Sequence, residues 1–289
     1  MHRAQARIVV TVLSAALMAI GLAACGGTPP PQTAHRAEGP PRQDTRPDAG
    51  PLLEKVLPRI EESGSVHSAV HGRMGLAGDL RTDGTVRYEQ DRADVALDGQ
   101  TRMTQGQSTQ PVEVAVVDDV GYLKSPMLRP EPGKPWVRIS AGGGDFASRL
   151  LSPALDQLQD VVDPRTALSG VEPATKIETT APDQVGGKPA TRYDLKVDTA
   201  RAAKLAADPA QRARWQEAAD SGTPEASYQL WVDESGMPAR FTATRANPES
   251  GPISLTSTYD NWGAPSEVQA PPAERIGEFH APAQAQPPR

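Results

Sequence analysis

The sequence predicts an α+β protein built around a mostly antiparallel β-sheet of about ten strands with helical interruptions. Two observations support this fold class. Short segments in which apolar and polar residues alternate recur along most of the chain, and turn residues separate them. One longer segment near the middle carries leucine and valine at spacings of three and four, which is typical of an amphipathic helix.

The predicted domain, residues 52–278, begins with a helix and continues with strands. Residues 52–60 place four apolar side chains on one helical face, namely Leu53, Val56, Leu57 and Ile60. Strand-like segments follow at 65–77, 79–90, 93–103, 112–116, 120–124 and 136–139. Asp118-Asp119 is an acidic pair, and a hairpin turn between two of these strands explains it fully.

The amphipathic helix is predicted at residues 146–162, directly after a loop of three glycines, Gly142 to Gly144. This loop lacks the Lys-Ser/Thr ending of a phosphate loop and is interpreted as a flexible connection. The helix carries a row of leucines, namely Leu150, Leu151, Leu155 and Leu158. These leucines either belong to the core, or line an apolar cavity and act as a lid that moves about the glycines.

The remaining elements complete the sheet. Strands are predicted at 174–179, 189–197, 226–232, 237–245 and 253–259. Alanine-rich segments at 200–207 and 209–219 are predicted helices. The pattern contains no break rich in proline and glycine that would divide the region, so a single domain is expected.

The N-terminus has the features of an export signal. Arg3 and Arg7 form a basic head, and residues 8–24 follow without a charge and end in small residues. The segment Leu22-Ala23-Ala24-Cys25 resembles the bacterial lipobox, in which the cysteine receives a lipid. We therefore expect residues 1–24 to be removed and Cys25 to become the acylated first residue, held at the outer face of the cell membrane. The alternative is an ordinary signal or an uncleaved anchor in which Cys25 is incidental.

Composition sets the limits of the function. The chain carries 30 Lys and Arg against 36 Asp and Glu, and Cys25 is its single cysteine. An acidic chain is a poor candidate for nucleic acid, and no internal disulfide can form. Residues 25–51 are rich in proline and predicted to be a disordered tether, and residues 279–289 a disordered tail.

A search for catalytic or metal-binding residues finds none. His67 and His71 are four apart on a predicted strand, so they share a face, but zinc needs further ligands. No nucleophile elbow and no cofactor-binding motif occurs. The sequence therefore predicts a non-enzymatic protein without a metal or cofactor, and a lid helix with an apolar cavity as its candidate site.

Several strings of residues resemble the actinobacterial LppX/LprAFG-type lipoproteins of the LolA-like superfamily. They are residues 228–240 (YQLWVDESGMPAR), 259–265 (YDNWGAP), 268–272 (VQAPP), 121–124 (GYLK) and 134–137 (KPWV). The resemblance implies a curved antiparallel half-barrel with helices on its concave face. It also implies a monomer that binds or carries acylated lipids or lipoglycans and works with envelope transport proteins. The alternative is an envelope sensor or protein-interaction lipoprotein with the same fold and a filled interior.

Overall fold

Twelve strands and five helices make up the part of the chain that the computed structural model describes, residues 44–278 apart from 76–77, 91, 103–107, 129–130, 141–145 and 246–250. The helices are α1 (Gly50–Ser63), α2 (Phe146–Val162), α3 (Pro164–Leu168), α4 (Thr199–Leu205) and α5 (Pro209–Asp220). The strands are β1 (Ser65–Met74), β2 (Asp79–Tyr88), β3 (Ala93–Arg102), β4 (Thr109–Val117), β5 (Val120–Lys124), β6 (Trp136–Ser140), β7 (Thr175–Val185), β8 (Lys188–Asp198), β9 (Glu225–Asp233), β10 (Pro238–Arg245), β11 (Ile253–Asp260) and β12 (Ile276–Gly277).

All twelve strands belong to one open sheet, in the order β12-β6-β5-β4-β3-β2-β1-β11-β10-β9-β8-β7. Within the described residues every ladder is antiparallel except the pairing of β12 with β6. The sheet is consistent with a curved half-barrel, and it has more strands than the ten or so expected. Strand β12 has two residues, which is too short for an alternating pattern to indicate it.

The helices cover one face of this sheet, which we call the inner face. Along β10, for example, Phe241 and Ala243 are buried, whereas Thr244 between Ala243 and Arg245 is exposed. All five helices add side chains to the same core as the inner face, among them Leu53 and Ile60 of α1, Leu158 and Val162 of α2, Leu168 of α3, Ala202 of α4 and Trp215 of α5. The alternation seen in the sequence therefore separates a core face from an outer, polar face.

Local sequence signals explain where the helices begin and end. Helix α1 ends at Gly64, whose φ of 72° is left-handed and whose N–H donates to the Glu61 carbonyl. Three aspartates, Asp163, Asp198 and Asp208, cap the first turns of α3, α4 and α5 by accepting backbone N–H groups. The bounds predicted for the amphipathic helix are confirmed, with Pro153 inside it. The Asp118-Asp119 turn is confirmed too, and both residues have positive φ.

The predicted end of the tether at residue 51 is wrong. Ala49 is buried, and its N–H donates to the carbonyl of Thr175 at 3.0 Å. The N–H of Ile177 donates to the carbonyl of Pro47 at 2.9 Å, and α1 already begins at Gly50. These bonds satisfy backbone N–H and C=O groups at the free edge of β7. The proline-rich composition of the segment does not indicate that it pairs with a strand.

Residues 1–43 and 279–289 lie outside the described residues. They hold the predicted signal, Cys25, most of the predicted tether and the predicted tail. The described residues from Thr45 to Glu278 belong to one compact unit.

Candidate functional site

The row of leucines on α2 lies at the inner face of the sheet. Leu158 is buried in the main core, at 2% exposure. Leu155 is half-buried against the same core, and Leu151 is half-buried against a smaller cluster formed by Leu128 and Val137. The side chain of Leu150 and the glycine loop at 141–145 lie outside the described residues. The structure thus brings Leu151, Leu155 and Leu158 to one interface, with increasing burial toward the end of the helix.

Helix α2 approaches the sheet unevenly. Among the described residues its backbone lies close to β6 on one side and to β1, β10 and β11 on the other, with fewer close approaches to β2–β5 between them. Side chains therefore occupy much of the space under the middle of α2. Those of the inner face there are aliphatic, including Leu97 of β3, Val114 of β4 and Leu123 of β5. Such surfaces suit an acyl chain, which needs apolar volume rather than polar contacts.

The C-terminal end of α2 is fixed to the sheet by two tyrosines. The hydroxyl of Tyr88 donates to the carbonyl of Val162 at 2.8 Å, and the hydroxyl of Tyr259 donates to the carbonyl of Val161. Trp262 stacks on Tyr88 with ring centroids 5.8 Å apart. These bonds satisfy carbonyls that have no partner within the helix, because the last turn of any helix leaves them free.

The two tyrosines lie in a fully buried environment. Burial raises the pKa of the Tyr88 hydroxyl well above its ordinary value, and the nearby Asp163 carboxylate raises it further. Burial likewise raises the pKa of Tyr259. Both hydroxyls therefore remain protonated donors at neutral pH, as the bonds to α2 require.

A buried ion pair supports the same end of α2. The guanidinium of Arg165 donates to both carboxylate oxygens of Asp163, at 2.9–3.2 Å, and to the carbonyls of Glu89 and Arg92. Its Cζ lies 5.1 Å from the centre of the Tyr88 ring. The turn between α2 and α3 is thereby joined to the turn between β2 and β3.

Charged residues occupy the flank of α2 that faces α5 and the end of β10. Asp160 is buried, and its Oδ1 accepts from Arg214 Nη1 at 3.0 Å, while its Oδ2 lies 3.7 Å from Arg245 Nη2. Asp156 lies one turn earlier on α2. Burial raises the pKa of its carboxyl, Asp160 adds to the rise, and Arg214 and Arg245 oppose it. We call Asp156, Asp160, Arg214 and Arg245 the aspartate–arginine cluster.

The sequence analysis did not predict this cluster, although two features of the sequence indicate parts of it. Asp156 and Asp160 are four residues apart, so they share one side of an otherwise apolar helix. Arg245 has the same parity along β10 as the buried Phe241 and Ala243, which places a cation on the inner face. Neither signal identifies Arg214, since α5 is polar nearly all round and its orientation depends on packing.

Two of the pockets lined by described residues can be compared with a lipid site, and neither is a large apolar cavity. The larger, about 400 Å³, is open to solvent and is lined by Val66, His67, Thr85 and residues 261–265. The smaller, about 60 Å³, lies between the end of α2 and the start of β3 and includes Gln159, Val162 and Ala93. Ligand pockets usually hold about 300–1,000 Å³, so the smaller one is too small for an acyl chain.

The two histidines considered as metal ligands do share the outer face of β1, but their surroundings differ. His67 Nδ1 lies 3.0 Å from Asp260 Oδ1, and its Nε2 lies 3.7 Å from Asp83 Oδ2. His71 lies opposite Arg81 on β2. Burial and the neighbouring arginines lower the pKa of His71. In the described part of the chain, no group of three or more His, Cys, Asp or Glu side chains is placed to hold a metal ion.

The helices of the described region include none that is long and apolar enough to span a membrane. The predicted attachment site, Cys25, lies outside that region.

Comparisons with known proteins give fold similarities only. The sequence matches no family model and no curated protein. Among solved structures, the chain is similar to LprF from Mycobacterium bovis, with 16% identity and a TM-score of 0.45 over 78% of this chain and 99% of that chain. LprF carries one of the names of the LppX/LprAFG family whose residues this sequence resembles.

The chain is also similar to two structures that contain MucB. One is the MucA/MucB complex of Pseudomonas aeruginosa, with 15% identity and a TM-score of 0.33 over 83% of this chain and 67% of that chain. The other is MucB in complex with MucA, with 14% identity and a TM-score of 0.32 over 82% of this chain and 63% of that chain. At these TM-scores the similarities say nothing of what the present chain binds.

Proposed function

We propose that this chain is a membrane-anchored, non-enzymatic lipoprotein of the cell envelope that binds or carries acylated lipids or lipoglycans. In this proposal the twelve-stranded sheet is a curved half-barrel, and the acyl chains lie between its inner face and α2. The observation that supports it best is the position of α2. The helix lies close to β6 on one side and to β1, β10 and β11 on the other. Half-buried leucines of α2 and aliphatic residues of the strands fill the space between these two contacts.

The hydrophobic effect is large enough for such binding. Each buried CH₂ group contributes about 0.8 kcal/mol, so one long acyl chain supplies roughly 10 kcal/mol before the costs of association. To admit the chain, the part of α2 up to Leu155 moves away from β5 and β6, where Leu151 and Leu155 are held by apolar contacts. The end of α2 stays in place, because Tyr88 and Tyr259 hold its last carbonyls.

The proposed location is the outer face of the cell membrane, with lipid on Cys25 as the anchor. The chain from Cys25 to Thr45 then separates the domain from the bilayer, and Arg46 to Ala49 join it at the β7 edge. The proposed state is a monomer, with envelope transport proteins as its partners.

Replacing Leu151 by tryptophan tests the carrier function. The larger ring occupies the space under α2, so we expect binding of a fluorescent fatty-acyl probe to be lost with little change in melting temperature. The matched control is Leu205→Trp, because Leu205 is the exposed leucine of α4. In a solid core the same enlargement at residue 151 costs about 1–3 kcal/mol. Large destabilisation by Leu151→Trp, together with no probe binding by the wild type, would contradict the proposal.

An envelope sensor or protein-interaction lipoprotein is the second candidate. The pocket of about 400 Å³ beside His67 of β1 and Thr85 of β2 favours this candidate. The pocket is open to solvent, and hydrogen-bonding groups are among the residues that line it. Native mass spectrometry of the protein purified from its own membranes separates the two functions. Co-purified acylated lipid supports the carrier, and a stoichiometric protein partner without lipid supports the sensor.

A further inference from the structure

Arg245 is a cation on the apolar face of the sheet. Its neighbours of the same parity on β10, Phe241 and Ala243, are buried, and so is its β11 partner Ile253. Placing a charge on such a face is costly unless it is paired. Within the described residues, its ion pair is with Asp160 at 3.7 Å, which is longer than a hydrogen bond.

Asp160 is engaged more closely elsewhere. Its Oδ1 accepts hydrogen bonds from Arg214 Nη1 and from the Thr166 hydroxyl, both at 3.0 Å. One buried carboxylate therefore faces two guanidinium groups, and it makes its hydrogen bonds to one of them. The second guanidinium, Arg245, keeps donors that this carboxylate does not use.

Asp156 does not complete the pairing. It makes no hydrogen bond within the described part of the chain, and burial raises the pKa of its carboxyl. Within the cluster, Asp160 is therefore the carboxylate that accepts a hydrogen bond from a guanidinium group. The side chains of the cluster are still partly open to solvent, with 27% of Arg214 and 36% of Arg245 exposed. A ligand can therefore reach both guanidinium groups.

We propose that Arg214 and Arg245 bind the anionic headgroup of the lipid, a phosphate or carboxylate, while its acyl chains enter the apolar space under α2. This inference rests on the proposed carrier function and adds the charge of the ligand. A guanidinium presents parallel N–H donors that match the oxygens of such an anion. The polar cluster and the aliphatic side chains both border α2, which is where the proposal places the two ends of the amphiphile.

The experiment compares three probes on the full chain by isothermal titration calorimetry. They are inorganic phosphate, a short-chain diacyl phosphatidate, and the neutral diacylglycerol with the same chains. The wild type is expected to bind the phosphatidate about tenfold more tightly than the diacylglycerol, the effect of one charge-assisted hydrogen bond. Inorganic phosphate is expected to bind more weakly than the phosphatidate, because it has no acyl chain to bury.

Three variants locate the effect. Arg245→Gln is expected to abolish the preference for phosphatidate over diacylglycerol. Asp156→Asn removes the competing carboxylate, so phosphatidate affinity is expected to rise. Arg240→Gln is the matched control, because Arg240 lies on the same strand but on the outer face, over the ring of Trp231. Asp156→Asn keeps the proposal open to refutation even if Arg245→Gln fails to fold.

Two other results would overturn the inference in different ways. If wild type and Arg245→Gln bind both lipids equally, the headgroup site is wrong and the carrier function stands. If inorganic phosphate binds and neither lipid does, the anion comes from free phosphate, and the headgroup assignment and the carrier function are both wrong.

Discussion

Leu155 on α2 lies directly over Gly121 on β5. Its Cδ2 atom would be less than 3.0 Å from a Cβ added at Gly121, closer than real Cβ atoms come to other atoms. The absence of a side chain at residue 121 therefore lets the helix pack at this distance from the sheet. The contact lies in the part of α2 that the carrier proposal requires to move.

The first prediction concerns this contact. Gly121→Ala is expected to lower the free energy of unfolding by about 1–3 kcal/mol, since the new methyl group overlaps Leu155. The loss in the double variant with Leu155→Ala is expected to be smaller than the sum of the two single losses, because the overlapping atoms are gone. Urea unfolding of the two single variants and the double variant measures the coupling.

Gly50→Ala is the control for that series. No atom lies within 4 Å of the added Cβ, so stability should stay within about 0.5 kcal/mol of the wild type. A loss in the double variant equal to the sum of the two single losses would show that Leu155 does not obstruct the added methyl group.

The second prediction concerns the tyrosines that hold the end of α2. Burial raises the pKa of Tyr88 above the ordinary value of 10.0, so the folded protein keeps a proton that the unfolded chain releases. The stabilising contribution is complete below pH 10 and is lost as the pH rises toward the raised pKa. The free energy of unfolding should therefore fall above pH 10 by up to about 1.4 kcal/mol per pH unit for this tyrosine.

Tyr88→Phe isolates that effect from other groups that titrate at high pH. The variant is expected to lose about 1 kcal/mol at pH 7, because the hydrogen bond to Val162 is gone. Its stability should then fall less steeply above pH 10 than that of the wild type. Parallel curves for the two proteins in urea unfolding at pH 8 to 11 would count against a buried, protonated Tyr88.

The third prediction concerns the buried pair of Arg165 and Asp163. Arg165→Ala leaves a buried carboxylate without its charge partner and frees the carbonyls of Glu89 and Arg92. We expect a loss of about 3 kcal/mol or more in the free energy of unfolding. Arg201→Ala is the control, since the side chain of Arg201 is exposed on α4. A loss below about 1 kcal/mol for Arg165→Ala would mean that this pair is not what fixes the α2–α3 turn.

The fourth prediction concerns the anchor. Cys25→Ser removes the thiol that receives the lipid, so the protein should leave the membrane fraction or accumulate as an uncleaved precursor. Metabolic labelling with a fatty acid and fractionation of cells measure both effects. A variant that still incorporates the fatty acid would show that Cys25 is not the attachment site.

The fifth prediction concerns the junction between tether and domain. Limited proteolysis should cut before Thr45 and leave the domain folded, because Arg46 to Ala49 pair with β7 and α1 follows at once. The cut sites can be read by mass spectrometry of the resistant fragment. Cleavage between Pro47 and Gly50 in the native protein would contradict the pairing seen at the β7 edge.

Helix α2 shows how far the sequence predicts the site. Its bounds and its leucine row follow from spacing alone, because apolar residues three and four apart must share a helical face. The spacing does not predict that Leu158 is buried more deeply than Leu151, because the burial of each leucine depends on the distance between the helix and the sheet. The aspartate–arginine cluster was missed because its members come from three elements far apart in the chain.

The sequence by itself determined the alternation that makes one face of the sheet apolar, the amphipathic α2, and the acidic, single-cysteine composition. These depend on the periods of the helix and the strand, which are local properties of the backbone. Only the tertiary structure decided that Leu155 packs on Gly121, that Tyr88 and Tyr259 hold the last carbonyls of α2, and that Arg245 meets Asp160. Each of these contacts joins residues more than 30 positions apart, so it depends on how strands pair and helices pack.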